Sequence, residues 1–167
     1  MKILLAEYDS RWPDLFQREA NRISAALGAR ALQIEHTGST SVPGLAAKPV
    51  IDMLLVVRDS ADEQAYAPEL QDAGYTLRFR EVNWHEHRLF NGPDTEVNLH
   101  VFSHGCPEID RILRFRDWLR SHPEDRDRYA QAKRALAGGD WGEVQEYADA
   151  KTGIVEDILA RALAGRE

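Results

Sequence analysis

The chain has 167 residues and a mass of 19.0 kDa, with 43% hydrophobic and 29% charged residues, which is the make-up of one globular domain able to bury its own core. Lys plus Arg number 21 against 28 for Asp plus Glu, and the resulting net charge of −7 argues against a long nucleic acid as partner. The lone Cys106 excludes an internal disulfide. Without a secretory pattern or an apolar run near the roughly 20 residues of a membrane helix, the expectation is a cytoplasmic protein with no membrane partner.

In chain order, Phe16, Ala20, Ile23 and Leu27 recur at helical spacing, and Gly28 ends that helix. Ala31 to His36 reads as a strand. Val50 to Val57 is an almost unbroken apolar run interrupted by Asp52, the pattern of a strand buried on both faces. Ser60 and Glu63 have capping-box spacing for a helix that ends near Gly74, with Pro68 placed to kink or divide it. Strands follow at Tyr75–Arg80, Glu86–Asn91 and Glu96–Phe102, the last two joined by the turn Asn91-Gly92-Pro93-Asp94. From Pro107 the pattern is helical. Ser121 with Glu124 reads as a second capping box, Gly138-Gly139 as a stop, and Asp140 with Glu143 as the start of the last helix. The fold class is α+β, a mixed sheet over about residues 1–104 with a helical cap over about 107–165.

The stretch richest in chemistry runs from His36 through Thr37-Gly38-Ser39-Thr40-Ser41 and Lys48 to Asp52. Gly38 allows a tight turn. The amides after it, with the Ser39, Thr40 and Ser41 hydroxyls, would form an anion-binding concavity. Lys48 would add a point charge. Asp52 in an apolar strand needs a cation or hydrogen-bond donors to offset its burial.

The run HTGSTSVPGLAAKPVIDMLLVV resembles the signature of the GrpB family, whose domain is similar to the nucleotidyltransferase fold of the DNA polymerase beta superfamily. The likeness extends to Trp12-Pro13, to Asn98-Leu99-His100-Val101, to the segment Leu113–Arg120, and to Tyr147 and Lys151. It implies that the Gly-Ser turn holds nucleotide phosphates and that acids on the following strand bind divalent metal for nucleotidyl transfer. In that superfamily two acids stand two residues apart. Here Val50 and Leu54 flank Asp52 on its face, and Asn98 and His100 occupy the region of a third acid. One carboxylate and one imidazole suit a single ion, Mg²⁺ or Mn²⁺ before Zn²⁺, better than a two-ion cradle.

Asp52 and His100 are therefore the candidate catalytic and metal-binding residues. Gly38, Ser39, Thr40, Ser41, Lys48, Arg88, Lys133 and Lys151 are the candidate phosphate-binding residues, with pairing to Glu86 or Glu96 across the sheet as the alternative for Arg88. His36, His85 and His87 match no compact zinc spacing and read as structural before metal-binding, although His85 and His87 are expected to share a strand face. The arginines from Arg111 to Arg120 alternate with Asp110 and Asp117 as on a salt-bridged helix face, and the four tryptophans read as packing residues. The expected partner is a small anionic or nucleotide ligand. Two activities fit: transfer of a nucleotidyl group to a small acceptor, or binding alone in a domain that has lost two-metal chemistry. A single-metal His/Asp hydrolase is a third, weaker reading.

Overall fold

The computed structural model describes residues 5–137 and 144–164, and within the last helix the side chains from 152 onward. Helix α1 (Trp12–Leu27) leads into β1 (Gln33–Thr37), then β2 (Ile51–Val57), α2 (Ala67–Asp72), β3 (Thr76–Glu81), β4 (His87–Asn91) and β5 (Val97–Ser103). Helices α3 (Pro107–Ser121), α4 (Pro123–Ala137) and α5 (Val144–Ala164) complete the fold. The five strands form one sheet in the order β1-β2-β5-β4-β3, with β2 and β5 parallel and every other pair antiparallel. The expected α+β architecture is therefore present, and each strand lies within two residues of the expected bounds. Among the described residues no helix is long and apolar enough to cross a membrane.

The apolar run of β2 is explained by burial on both sides. Ile51, Met53, Leu55 and Val57 face α1 and α2, where Trp12, Ile23, Leu27, Leu70 and Tyr75 join them in the main core. Leu54 and Val56, with Phe102, face α3 through Ile109, Ile112 and Leu113. Asp52 lies on this second face. The cap has its own core, in which Leu119, Tyr129 and Ile158 close over Val42 and Leu45. That contact seats the cap directly on the loop after the Gly-Ser turn.

Several local expectations are corrected. Ser60 is not a helix cap: its hydroxyl donates to the Glu86 carbonyl at 2.8 Å and its amide donates to Ser103 Oγ at 2.8 Å. The helix expected after it is a 3-10 turn at Glu63–Ala65 followed by α2, because Pro68 fits only a first helical turn. Ser121 closes α3 instead of opening α4, donating to the Asp117 carbonyl at 2.9 Å. His85 and His87 do not share a strand face, since β4 begins at His87 and His85 adopts a left-handed φ of 56° in the preceding turn. Gly138-Gly139, Asp140, Trp141 and Glu143 lie outside the described residues. Of the other tryptophans, Trp12 is in the core, Trp84 is an exposed edge packing against His87, and Trp118 donates to Asp125.

Candidate functional site

The site forms where β1 ends beside β2. Thr37 and Asp52 are register partners, so the next residue, Gly38, lies directly over the Asp52 side chain. Gly38 has φ +69°, and a Cβ there would stand 2.5 Å from Asp52 Oδ2. Only glycine combines that backbone with that approach. The chain then makes a 3-10 turn at Ser39–Ser41.

The three hydroxyls of the turn have different tasks. Thr40 Oγ1 donates to the Val50 carbonyl at 3.3 Å and accepts from His36 Nε2 at 2.9 Å. Ser41 Oγ donates to the Gly38 carbonyl. These bonds brace the loop, and Thr40 also lines a cavity beside Ser39 and Asp52. His36 is a structural residue: it is buried, stacks on Phe16 with ring centroids 5.0 Å apart, and burial together with Arg120 pushes its pKa down to about 4. Ser39 Oγ accepts from Lys133 Nζ at 2.7 Å. Lys133 also donates to the Ala46 carbonyl at 2.9 Å and lies 5.0 Å from the centre of the Tyr129 ring.

Ser39, Lys48, Asp52, Asn98 and Lys133 are among the residues that line one cavity of about 160 Å³. A second cavity, of about 420 Å³, lies on the other side of Asp52 between the sheet and the cap. Its polar floor includes Asp52 and His100, and its apolar wall is Ile112, Phe115, Val155 and Leu159. Asp52 lines both cavities.

Asp52 Oδ1 is 3.4 Å from His100 Nε2, at the outer limit of a hydrogen bond. His100 Nδ1 is 3.0 Å from His87 Nε2, and His87 Nδ1 is 2.7 Å from Glu81 Oε1. Burial holds the His87 pKa below the ordinary histidine value despite the Glu81 hydrogen bond that raises it. Asn98 is the register partner of Asp52, and its Oδ1 accepts from Asn91 Nδ2 at 3.0 Å.

Arg88 takes the ion-pair reading. It pairs in register with Val101 and so lies on the opposite sheet face from Asp52 and His100. There its guanidinium is held by Glu63 at 2.6 Å and Glu86 at 3.1 Å, which takes it out of the phosphate set. Lys151 belongs to α5, and its side chain, like that of Tyr147, lies outside the described residues. Arg114 pairs with Asp110 and Arg116 with Asp117 and Glu35, while Arg120 donates to the Ser41 carbonyl at 2.9 Å. Sequence reasoning missed Glu81, whose signal is visible only once the β3–β4 register is known, since Glu81 and His87 are partners there.

Among the described residues no group of three or more His, Cys, Asp or Glu side chains could hold a metal ion. The donors around Asp52 therefore do not fit two ions. Asp52 and His100 Nε2 are the two donors that a single ion would find here.

A family model described as GrpB protein matches residues 2–161. The chain belongs to the GrpB family. A UPF0157 protein of Halalkalibacterium halodurans is 65% identical over 97% of this chain and 83% of its own length. A UPF0157 protein of Streptomyces coelicolor is 43% identical over 99% of this chain and 87% of its own. The crystal structure of conserved protein GrpB from Enterococcus faecalis matches with a TM-score of 0.86 at 30% identity, covering 96% of this chain and 98% of that one. The Cid1 poly(U) polymerase with Mg 3'-dATP bound matches at TM-score 0.50 and 12% identity over 87% of this chain and 49% of its own, a likeness of fold alone. The GrpB domain thus has a nucleotidyltransferase-like fold. A dephospho-CoA kinase of Mycobacterium tuberculosis is 33% identical over 95% of this chain but only 45% of the kinase.

Proposed function

We propose that this GrpB protein binds a nucleotide or another phosphorylated small molecule at the Gly38-Ser39 turn, together with one divalent cation on Asp52, and transfers a nucleotidyl group to a small acceptor. The observation that carries this reading is the meeting of opposite charges in one small cavity, lined by Lys48, Lys133 and Asp52. Phosphate is the ligand whose oxygens satisfy both, directly on the lysines and through a cation on the carboxylate.

A divalent ion there would neutralise phosphate charge as the bond to the leaving group breaks. The remaining work falls to the protein's own residues. Lys133, fixed by Ser39 and Ala46, orients the phosphate chain. The second cavity takes the acceptor, because it is large enough for a small organic molecule and meets the phosphate cavity at Asp52. One carboxylate with one imidazole favours Mn²⁺ over Mg²⁺.

A second reading, binding without transfer, is favoured by Val50. It lines the phosphate cavity two residues before Asp52, where the superfamily pattern has its other acid. Thermal shift against nucleoside triphosphates, with and without Mg²⁺ and Mn²⁺, separates the two. Stabilisation that requires the metal and disappears in Asp52→Ala supports metal-dependent transfer, with product formation as its completion. Stabilisation indifferent to metal supports binding alone. No stabilisation by any nucleotide, sugar phosphate or inorganic phosphate overturns both.

A further inference from the structure

Four ionisable side chains form a hydrogen-bonded row across four adjacent strands of the sheet. Asp52 is on β2, His100 on β5, His87 on β4 and Glu81 on the edge strand β3. Glu81 and His87 face each other in register, and His87 reaches diagonally to His100, which reaches diagonally to Asp52. The protons in this row are not free to choose their places. A carboxylate accepts only, so Glu81 takes a proton donated by His87 Nδ1 across 2.7 Å. His87 is enclosed, stacked on Phe102 at 4.8 Å between ring centroids with Trp84 edge-on at 5.3 Å, which fixes the orientation of its ring. A neutral imidazole that donates from Nδ1 accepts at Nε2, so His100 Nδ1 must be the donor across the 3.0 Å contact. The lone pair of a neutral His100 is then on Nε2, facing Asp52 Oδ1 at 3.4 Å. Two electron-rich atoms facing each other make a seat for a cation.

We propose that Glu81 and His87 are positioning residues that lock His100 in its Nδ1–H tautomer, so that His100 Nε2 and Asp52 together present a divalent cation site. This rests on the cation reading above and extends it to the edge hairpin, far from the Gly-Ser turn. A carboxylate that orients a metal-binding imidazole is a common outer-shell device; here a second histidine is interposed between the two. Anything that moves the β3–β4 hairpin would therefore alter cation affinity without touching a ligand.

The test uses the full chain labelled with ¹⁵N. Long-range ¹H–¹⁵N spectra at about pH 8 report the tautomers of His87 and His100, and titration calorimetry with Mn²⁺ alone reports affinity. The wild type should show Nδ1–H at both histidines. Glu81 is 44% exposed, so Glu81→Gln should fold normally. Its amide can donate as well as accept, so both histidines should become tautomer mixtures, and Mn²⁺ affinity should fall roughly 10–100-fold. Glu81→Asp should restore part of both. A wild-type His100 protonated at Nε2, or Mn²⁺ affinity unchanged in Glu81→Gln, overturns the relay. Failure of the cation reading looks different: tautomers fixed as stated but no Mn²⁺ binding in the wild type, which removes the role assigned to Glu81 and His87 as well.

Discussion

Lys133 on α4 donates to Ser39 on the Gly-Ser turn across 2.7 Å, joining two residues 94 positions apart. The helical cap and the sheet core thus meet at the cavity through a buried ammonium. Lys133 is 3% exposed, and its ammonium lies over the Tyr129 ring, 5.0 Å from the centroid.

Replacing Lys133 by Met keeps the length of the aliphatic stem and removes the charge. Phosphate-ligand affinity should fall at least about tenfold, the scale of one charge-assisted hydrogen bond, as read by calorimetry. Circular dichroism should show the helices intact. An affinity unchanged in Lys133→Met would remove Lys133 from the phosphate site.

Gly38→Ala places a Cβ 2.5 Å from Asp52 Oδ2 at a backbone φ of +69°. The strain should cost about 1–2 kcal/mol from the backbone alone, lowering Tm by several degrees. Because the clash falls on Asp52, metal-dependent ligand stabilisation should be lost as well. A variant destabilised to that extent but still binding normally would show that the turn's approach to Asp52 has no functional use.

His36 gives a pH signature. Its folded pKa of about 4 lies below the ordinary 6.5, so the unfolded chain takes up the proton first. Its neutral contribution is therefore complete above about pH 6.5 and is lost as pH falls towards about 4, by about 3 kcal/mol in all. Urea unfolding of the wild type across that range should show the loss, and His36→Gln should flatten it.

Asp125 ties the cap together. It accepts from Trp118 Nε1 at 2.6 Å and pairs with Arg161 at 2.7 Å and Arg128 at 3.1 Å. The Arg161 hydrogen bonds chiefly hold its pKa at about 2. Asp125→Asn should destabilise the chain by roughly 2–4 kcal/mol and make α4 and α5 the first segments cut by protease, because arginine and indole donors lose their anionic partner.

Much of this architecture is legible in the residues themselves. The continuous apolar run around Asp52 marks a strand covered on both faces, and α1 covers one while α3 covers the other. The Gly-Ser turn is legible because only glycine permits its geometry. What is not legible is anything set by pairing between strands. Arg88 reads as a phosphate ligand until register puts it on the far face with Glu63. Glu81 and His87 read as unrelated until the hairpin places them opposite each other. Ser41 reads as a ligand until the Gly38 carbonyl claims its hydroxyl. Hydrophobic periodicity reports burial, not which polar residue meets which.

The most direct test is a crystal structure with a non-hydrolysable nucleoside triphosphate analogue and Mn²⁺, located by its anomalous scattering. The prediction is a single Mn²⁺ on Asp52 and His100, with a phosphate against Ser39, Lys48 and Lys133. Phosphate bound away from the Gly38-Ser39 turn, or Mn²⁺ held without Asp52, would contradict it.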